Sequence, residues 1–385
     1  MTDYRTPVDD IKFCIRHAAE LDNVLKLDAY SGFDVDDVNQ ILEEAARFAD
    51  DVIAPTNIPG DQQGCRVEDG KVVLPAEFES VNTQFVENGW GAVGGSPEYD
   101  GMGLPASVNF ATSEMWQSAN MAFSLMGMLT RDAVHAVEAH ASDALKQQYL
   151  PNMVSGQWAA TMNLTEPQAG SDLAAVACKA VPDGDAYRIF GTKIYITWGD
   201  HEISENIIHL VLARIEGAPE GVRGISMFLV PKFMPDENNN PGDANDVRVV
   251  SVEHKLGIHG SPTCVLSFGD ADGAVGYLVG EENRGLAAMF TMMNQARMEV
   301  GLQGVAIGER DYQLACSYAN ERVQGRVPGH DGSVPIVHHV DGRRMLMLMR
   351  SQVEAMRALT YCAAALLDVA PHGDSDDDRR GAEAR

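Results

Sequence analysis

The spacing of apolar residues changes twice along this chain of 385 residues. Before about residue 157 apolar side chains recur at helical spacing, as in Val35–Ala49. From Trp158 to about Gly276 short alternating runs replace them, which is the pattern of β-strands. Helical spacing returns at Gly285 and continues through Val340–Leu367. Because the chain is also longer than one hydrophobic core usually serves, the sequence predicts a multidomain α+β fold.

The two changes in spacing set the predicted domain boundaries. We expect an N-terminal α-helical domain over residues 1–157, a middle β domain over residues 158–276 and the start of a C-terminal α-helical domain over residues 277–385. The Asn-, Asp-, Pro- and Gly-rich segment Asp236–Asp246 is expected to be a surface loop. Ala287–Gly308 and Glu309–Gln324 are expected to be two amphipathic segments. Asp376–Arg385 reads as the opening of another helix, so we expect the chain to stop inside a domain.

Charge and cysteine spacing exclude several classes of function. The net charge of −27 argues against nucleic acid or an anionic membrane surface as a partner. No apolar run approaches the roughly 20 residues that a membrane helix needs, and Met1–Pro7 shows no secretory signal, so we expect a cytoplasmic protein. The six cysteines are scattered singly, which predicts free thiols and no metal site.

Two short segments carry the strongest chemical signal. Leu164–Asp172 is small, polar and rich in turn formers, and it directly follows the apolar run Trp158–Met162. Lys193–Thr197 alternates polar with β-branched and aromatic residues, which predicts a strand. A strand, a Gly-Ser turn and a second strand bearing hydroxyls would present N–H and O–H donors to a flat, anionic ligand.

Four motifs in order resemble the acyl-CoA dehydrogenase family, and the resemblance covers essentially the whole chain. They are Thr165–Asp172, Lys193–Thr197, Lys255–Thr263 and Gly280–Gly285. The family layout implies that the middle domain is a small β-barrel between two α-helical domains. It also implies FAD as cofactor and dehydrogenation of an acyl-CoA thioester to the 2-enoyl-CoA. One departure is Asn163, which stands where the family usually has a small residue.

Three further segments resemble a long-form branch that includes enzymes acting on 3-methylmercaptopropionyl-CoA: Tyr4–Phe13, Gly257–Cys264 and His339–Leu346. This resemblance implies a short-chain acyl-CoA substrate, with 3-methylmercaptopropionyl-CoA as one candidate. It also implies electron transfer to an electron-transfer flavoprotein and assembly as a homodimer or homotetramer. The alternatives are a non-catalytic homologue that binds flavin or acyl-CoA, and an acyl-CoA oxidase.

The same resemblance implies the site residues. Those expected at FAD are Met162, Leu164, Thr165, Gly170, Ser171, Tyr195, Ile196, Thr197 and, reaching a neighbouring subunit, Arg322. Those expected at the CoA moiety are Ser171, Asn294 and Arg297. Glu166 and Asp172 are interpreted as residues that brace the turn rather than as catalytic groups.

The catalytic glutamate of the family has no counterpart in the sequence. In some members it immediately precedes the arginine that matches Arg297, and here that residue is Ala296. Other members carry it in a Tyr-Glu-Gly turn, which this chain lacks. Glu299 lies three residues after Ala296, about 300° around a helix, and is kept as an alternative base. We therefore expect no catalytic residue in this chain apart from that alternative.

Overall fold

A computed structural model describes residues 4–373 of the chain. The predicted helix start at Asp376 lies outside these residues. The α-helices of the described part are α1 (Val8–His17), α2 (Leu21–Val24), α3 (Val35–Phe48), α4 (Asn57–Gln63), α5 (Phe78–Glu87), α6 (Ala106–His140), α7 (Asp143–Ser155), α8 (Gly285–Glu321) and α9 (Val340–His372). No helix within residues 4–373 is both long enough and apolar enough to span a membrane.

Local sequence explains where several helices begin and end. The Asp34 side chain caps α3 by accepting from the amides of Asp36 and Asp37. The Asp37 carboxylate in turn accepts from the Asp34 amide. Ser142 caps α7 through the amide of Leu145. Helix α6 is kinked at Asn120, whose backbone φ of −154° and ψ of 96° are not helical.

The strands lie mostly between residues 158 and 279. They are β1 (Arg66–Glu68), β2 (Lys71–Val73), β3 (Trp158–Asn163), β4 (Lys179–Asp183), β5 (Ala186–Thr197), β6 (Asn206–Ile215), β7 (Ser226–Pro231), β8 (Phe233–Pro235), β9 (Pro241–Ala244), β10 (Val247–Val252), β11 (Thr263–Phe268) and β12 (Ala274–Val279). The hairpin of β1 and β2 was not predicted from the sequence.

The strand pairs close a ring. β5 pairs with β12, β12 with β7, β7 with β6, β6 with β4, and β4 pairs back with β5. β3 joins this ring through a parallel ladder with β6, and β11 joins through β5 and carries β10. A closed ring leaves no free edge within it, and its interior is filled by buried side chains such as Ile189, Val211 and Phe228. The predicted small β-barrel between helical segments is confirmed.

Two predictions about individual segments were wrong. Ala287–Gly308 and Glu309–Gln324 form one continuous helix, α8, which ends at Glu321, because no proline interrupts the segment and its internal glycines do not take the left-handed φ of a C-cap. Asp236–Asp246 is not simply a loop, since β8 and β9 pair there as a short hairpin with Asn239 at φ +60° in its turn. Asp236 supports that turn by accepting from the amides of Asn238 and Asn240.

The contacts divide the described chain into two compact units. The helical unit consists of the residues up to Asn57, Leu104–Met121 and the residues from Met298 onward. The barrel unit consists of Ile58–Gly103 and Ala122–Arg297. The predicted boundary after residue 157 falls just before β3, and the one after residue 276 falls inside β12. As limits of separate domains, these boundaries stay a prediction.

Buried polar groups join the three segments of the helical unit. Arg357 on α9 donates to Glu114 of α6 at 2.8 Å and to Glu309 of α8 at 2.9 Å, and it is 1% exposed. The Asp368 carboxylate on α9 accepts from the amides of Ala106 and Ser107 at the start of α6 and from the hydroxyl of Tyr30. Asp368 therefore ties the first and second segments of this unit to the last one, and Glu114 ties the second to the last.

Candidate functional site

The C-terminal end of β3 has one buried face and one more open face. Thr161 and Asn163 are fully buried, whereas Met162 and Leu164 between and after them are half-buried. Asn163 donates to the Thr161 hydroxyl at 2.8 Å, and that hydroxyl lies 2.7 Å from His209 Nδ1 on β6. The Thr161 hydroxyl therefore links Asn163 to His209. Met162 and Leu164 are left on the more open face.

The turn after β3 is organised by the buried carboxylate of Glu166. Its oxygens accept from the amides of Ala177 at 2.8 Å and Cys178 at 3.1 Å, and from Lys193 Nζ at 2.8 Å. Burial raises the pKa of Glu166, but the Lys193 charge and these hydrogen bonds outweigh it and hold the pKa below its usual value. Glu166 therefore stays ionised and braces the turn, as the sequence predicted.

The tip of the same turn carries donors that the rest of the described chain does not use. Gly170 and Ser171 are exposed, and within residues 4–373 their amides donate to no group. A Cβ added at Gly170 would meet nothing within 4 Å, so the space beside it is open. Asp172 accepts from the amide of Ala174 at 2.9 Å and so begins a short 3₁₀ turn. Consecutive free amides next to open space suit an anionic ligand.

β5 contains a bulge beside this turn. Residues Ile194 and Tyr195 together oppose Val265 of β11, because the register shifts by one residue there. Tyr195 has φ +61°, a left-handed conformation that costs a non-glycine residue about 1–3 kcal/mol. Its side chain is 60% exposed. Such strain without a covering contact is typical of ligand-binding positions.

The chain after the bulge is held firmly. Trp198, also left-handed at φ +54°, is fully buried and donates from its indole to the carbonyl of Ala122 at 3.0 Å. Its ring stacks on Phe78 with centroids 6.2 Å apart. Ile196 is buried, whereas Thr197 is half-buried with a hydroxyl that has no hydrogen-bond partner among the residues described. The geometry therefore fixes Thr197 between a strained bulge and an anchored indole.

The two segments are bonded to each other. The amide of Ile194 donates to the carbonyl of Thr165 at 2.9 Å, and Lys193 Nζ donates to the carbonyl of Leu164, also at 2.9 Å. The hydroxyl of Thr165, like that of Thr197, has no partner in the part of the chain that is described. Free hydroxyls and amides along one joined pair of segments have the chemistry needed to bind the heterocycle and phosphates of a flavin.

The residues predicted at the CoA moiety lie on the exposed face of α8. Asn294 and Arg297 are both exposed, and the guanidinium of Arg297 donates to the Asn294 side chain at 2.9 Å. Arg297 also lies over the ring of Phe290 at 5.3 Å. Ala296 is buried. The pair thus presents a positive charge to solvent in a strongly acidic protein.

The remaining two candidates belong to the helical unit. Glu299 is 1% exposed, and its carboxylate accepts from Ser113 at 3.3 Å and from Gln117 at 2.9 Å. Arg322 is exposed just after α8, and its guanidinium reaches the Gln324 side chain at 3.3 Å. The barrel unit thus brings together the candidates from Met162 to Thr197, while these two lie in the other compact unit.

Sequence reasoning missed the two side chains that hold the turn and the bulge. Lys193 is fully buried, although a lysine that opens an alternating strand is usually placed on the solvent face. Trp198 was not singled out either. For Trp198 the sequence did contain a signal. A tryptophan directly after a predicted strand is a large side chain, and its indole N–H needs an acceptor when it is buried.

Three family profiles match the chain in succession. They are the acyl-CoA dehydrogenase N-terminal domain over residues 36–157, the middle domain over residues 161–271 and the C-terminal domain over residues 283–380. The chain belongs to the acyl-CoA dehydrogenase family. This family is FAD-dependent. Among residues 4–373 no cluster of three His, Cys, Asp or Glu side chains could hold a metal ion.

Relatives within the acyl-CoA dehydrogenase family are close. The chain is 49% identical to 3-methylmercaptopropionyl-CoA dehydrogenase of Ruegeria pomeroyi, over 97% of the chain and 63% of that protein. It is 36% identical to a butyryl-CoA dehydrogenase of Syntrophomonas wolfei with the same two coverages. Butyryl-CoA dehydrogenase from Megasphaera elsdenii shares the fold, with a TM-score of 0.70 at 23% identity over 88% of this chain and 84% of that one. The chain spans about 63% of the length of the curated relatives it matches first.

Proposed function

We propose that this chain provides the FAD- and CoA-binding part of an acyl-CoA dehydrogenase. The observation that carries the proposal is the joined pair of segments at Leu164–Thr165 and Ile194–Thr197, with free donors and a strained, exposed Tyr195. The assigned reaction is the α,β-dehydrogenation of a short-chain acyl-CoA thioester to the 2-enoyl-CoA. FAD, when bound, supplies the acceptor for the hydride that leaves the β-carbon of the acyl group.

The chain's own residues would bind and orient the reactants. The amides of Gly170 and Ser171 would bind anionic oxygens, and the hydroxyls of Thr165 and Thr197 would hydrogen-bond the ring system. Arg297 would pair with a phosphate of CoA, since charge-assisted bonds to guanidinium are strong and directional. Met162 and Leu164 offer the apolar surface that a flat heterocycle covers. Arg322 is proposed to contact FAD bound to a neighbouring subunit of a homodimer or homotetramer.

The α-hydrogen must leave as a proton, and we assign no base for it within residues 4–373. Ala296 has no group that accepts a proton. Glu299 remains the alternative, although its carboxylate is buried and already accepts from Ser113 and Gln117. As an isolated 385-residue polypeptide, the chain is therefore proposed to bind FAD and acyl-CoA without turning over.

The substrate proposal rests on the named relatives. 3-Methylmercaptopropionyl-CoA and butyryl-CoA differ in chain length by about one methylene, because a thioether sulfur is close in size to CH₂. A pocket discriminates one methylene by only about 1–3 kcal/mol. We therefore propose overlapping use of both thioesters, with electrons passed to an electron-transfer flavoprotein in the cytoplasm.

The deciding experiment is anaerobic titration. The 385-residue chain is loaded with FAD, its visible absorption is recorded, and butyryl-, 3-methylmercaptopropionyl- or palmitoyl-CoA is added. FAD binding, with spectral perturbation by the two short thioesters and none by palmitoyl-CoA, supports the proposal. Failure to bind FAD contradicts it. Bleaching of the flavin places the base inside the chain, and Glu299→Gln then tests that residue.

A non-catalytic homologue is the second candidate function, favoured by the alanine at position 296. Flavin bleaching and reoxidation distinguish the two candidate functions in a protein as long as the relatives. A dehydrogenase bleaches with acyl-CoA and reoxidises slowly in air, an oxidase reoxidises quickly, and a binding protein does not bleach.

A further inference from the structure

Lys193 is a fully buried lysine at the point where the two candidate flavin segments meet. It lies on β5 immediately before the bulge, and its side chain is 0% exposed. Its ammonium donates to the Leu164 carbonyl at 2.9 Å and to Glu166 Oε1 at 2.8 Å. One charged group therefore fixes both the exit of β3 and the carboxylate that braces the turn.

Stability alone does not account for such a pair. Removing two charges from water costs several kcal/mol per ion, and buried ion pairs are often replaced by apolar residues without loss of stability. What an apolar side chain could not do is hold the Leu164 carbonyl. That carbonyl precedes Thr165, whose own carbonyl accepts from Ile194 of the bulge.

We propose that Lys193 is a positioning residue for FAD, acting through the Leu164 carbonyl and not by contact with the cofactor. This inference rests on the proposed function. With the carbonyl held by Lys193, the peptide plane between Leu164 and Thr165 is fixed, and the donors of Thr165 keep one orientation toward the ligand. The bond from Ile194 to Thr165 transmits the same constraint to Tyr195 and Thr197.

The barrel unit contains a matched control. Lys232 directly follows β7. It pairs with Asp200 and donates to the carbonyl of His201 at 2.9 Å, so it also binds one carboxylate and one main-chain carbonyl. Neither partner belongs to the candidate flavin segments. Lys193→Met and Lys232→Met therefore remove equivalent sets of bonds at two places in one unit.

The test compares FAD affinity with stability in the 385-residue chain. FAD dissociation constants come from flavin fluorescence titration, and unfolding free energies come from urea melts without FAD. Lys193→Met is expected to raise the dissociation constant about tenfold or more, the scale of one charge-assisted hydrogen bond. Lys232→Met is expected to change it by less than about twofold, while both variants lose stability. Equal FAD affinity in the two variants overturns the proposal.

A double variant distinguishes the loss of the bond to the Leu164 carbonyl from the effect of an unpaired charge on Glu166. Lys193→Met with Glu166→Gln leaves no unpaired buried charge, so its stability is expected to recover relative to Lys193→Met. The Leu164 carbonyl still lacks its donor, so FAD affinity is expected to stay low. Recovery of affinity in the double variant overturns the role assigned to the carbonyl.

A cofactor-free readout keeps this inference separate from the proposed function. If the unaltered chain binds no FAD, the proposed function fails, and hydrogen exchange at the Ile194 amide then decides the positioning claim. Exchange is expected to be faster in Lys193→Met than in Lys232→Met. Equal exchange in both variants contradicts the claim.

Discussion

At the scale of single residues, donors without protein partners mark the candidate site. The hydroxyls of Thr165 and Thr197 are left open, while nearby polar groups such as Glu166 and Trp198 are fully engaged. Both residues are half-buried, and under the proposed function a bound ligand would supply the partners of their hydroxyls. This contrast is what distinguishes the site from an ordinary turn.

Thr197→Val is expected to weaken FAD binding by about 0.5–1.5 kcal/mol, or roughly two- to tenfold, since one hydrogen bond is lost and the shape is kept. Thr192→Val, the same change on β5 before the bulge, serves as the control and is expected to leave affinity unchanged. Fluorescence titration with FAD measures both. Equal affinities would remove Thr197 from the site.

His201→Phe is expected to preserve or raise stability near neutral pH. The imidazole is buried, and neither nitrogen has a partner among the residues described, whereas its edge-on contact with Trp198 at 5.2 Å needs only a ring. Burial, with smaller contributions from Lys232 and His209, lowers the pKa of His201 from 6.5 to about 3. In the unfolded chain His201 is therefore protonated below pH 6.5, whereas in the folded chain it stays neutral down to about pH 3.

The sign of this effect follows from proton linkage. Since the unfolded state binds more protons between pH 6.5 and about 3, His201 makes the chain less stable as the pH falls through that window. Urea melts at several pH values should show a shallower decline for His201→Phe than for the unaltered chain. Parallel declines would show that His201 does not carry the effect.

At the scale of elements, the bulge in β5 decides which of its side chains are buried and which are exposed. Strict alternation would place Lys193, Tyr195 and Thr197 on one face. The bulge instead leaves Lys193 and Ile196 buried and Tyr195 exposed. A one-residue shift of this kind exchanges the two faces of a strand, so the bulge determines which side chains of β5 the candidate site would use.

Tyr195→Gly and Tyr195→Ile test the bulge directly. Glycine adopts φ +61° freely, so Tyr195→Gly should be at least as stable as the unaltered chain while binding FAD less tightly. Isoleucine resists that conformation, so Tyr195→Ile should lose about 1–2 kcal/mol. Urea melts and FAD titrations report the two quantities. Equal stability of the two variants would mean that the bulge stores no strain.

The sequence predicted much of this level of structure and missed what depends on distant contacts. The strand at Lys193–Thr197 and the barrel between helices followed from local patterns and the family resemblance. The bulge could not be predicted from local patterns, because it depends on the register against β11. The burial of Lys193 could not be predicted in this way either, because its partners Leu164 and Glu166 lie nearly 30 residues away.

At the scale of the whole molecule, charge is the dominant property. Acidic residues outnumber basic ones by 56 to 29, for a net charge of −27. Such an excess destabilises a compact state through self-repulsion.

Added salt should stabilise the chain. Raising NaCl from about 0.01 M to about 1 M shortens the Debye length from about 30 Å to about 3 Å and screens the repulsion. The thermal midpoint without FAD is expected to rise over that range. The same salt series near the pI of about 4.6, where the net charge vanishes, controls for general solvent effects. A midpoint that falls with salt would show that attractive ion pairs, not net repulsion, dominate.

The helical unit has a consequence for the order of events during synthesis. Asp10 and Tyr30 meet their partners Arg350 and Asp368 only after 340 and 338 further residues have been made. Every residue of the barrel unit lies at or before Arg297. Because chains emerge N-terminus first and units fold as their residues become available, we expect the barrel to form while α1 and α3 wait with their apolar faces uncovered. The opening helices are thus the part of the nascent chain that a chaperone would have to shield.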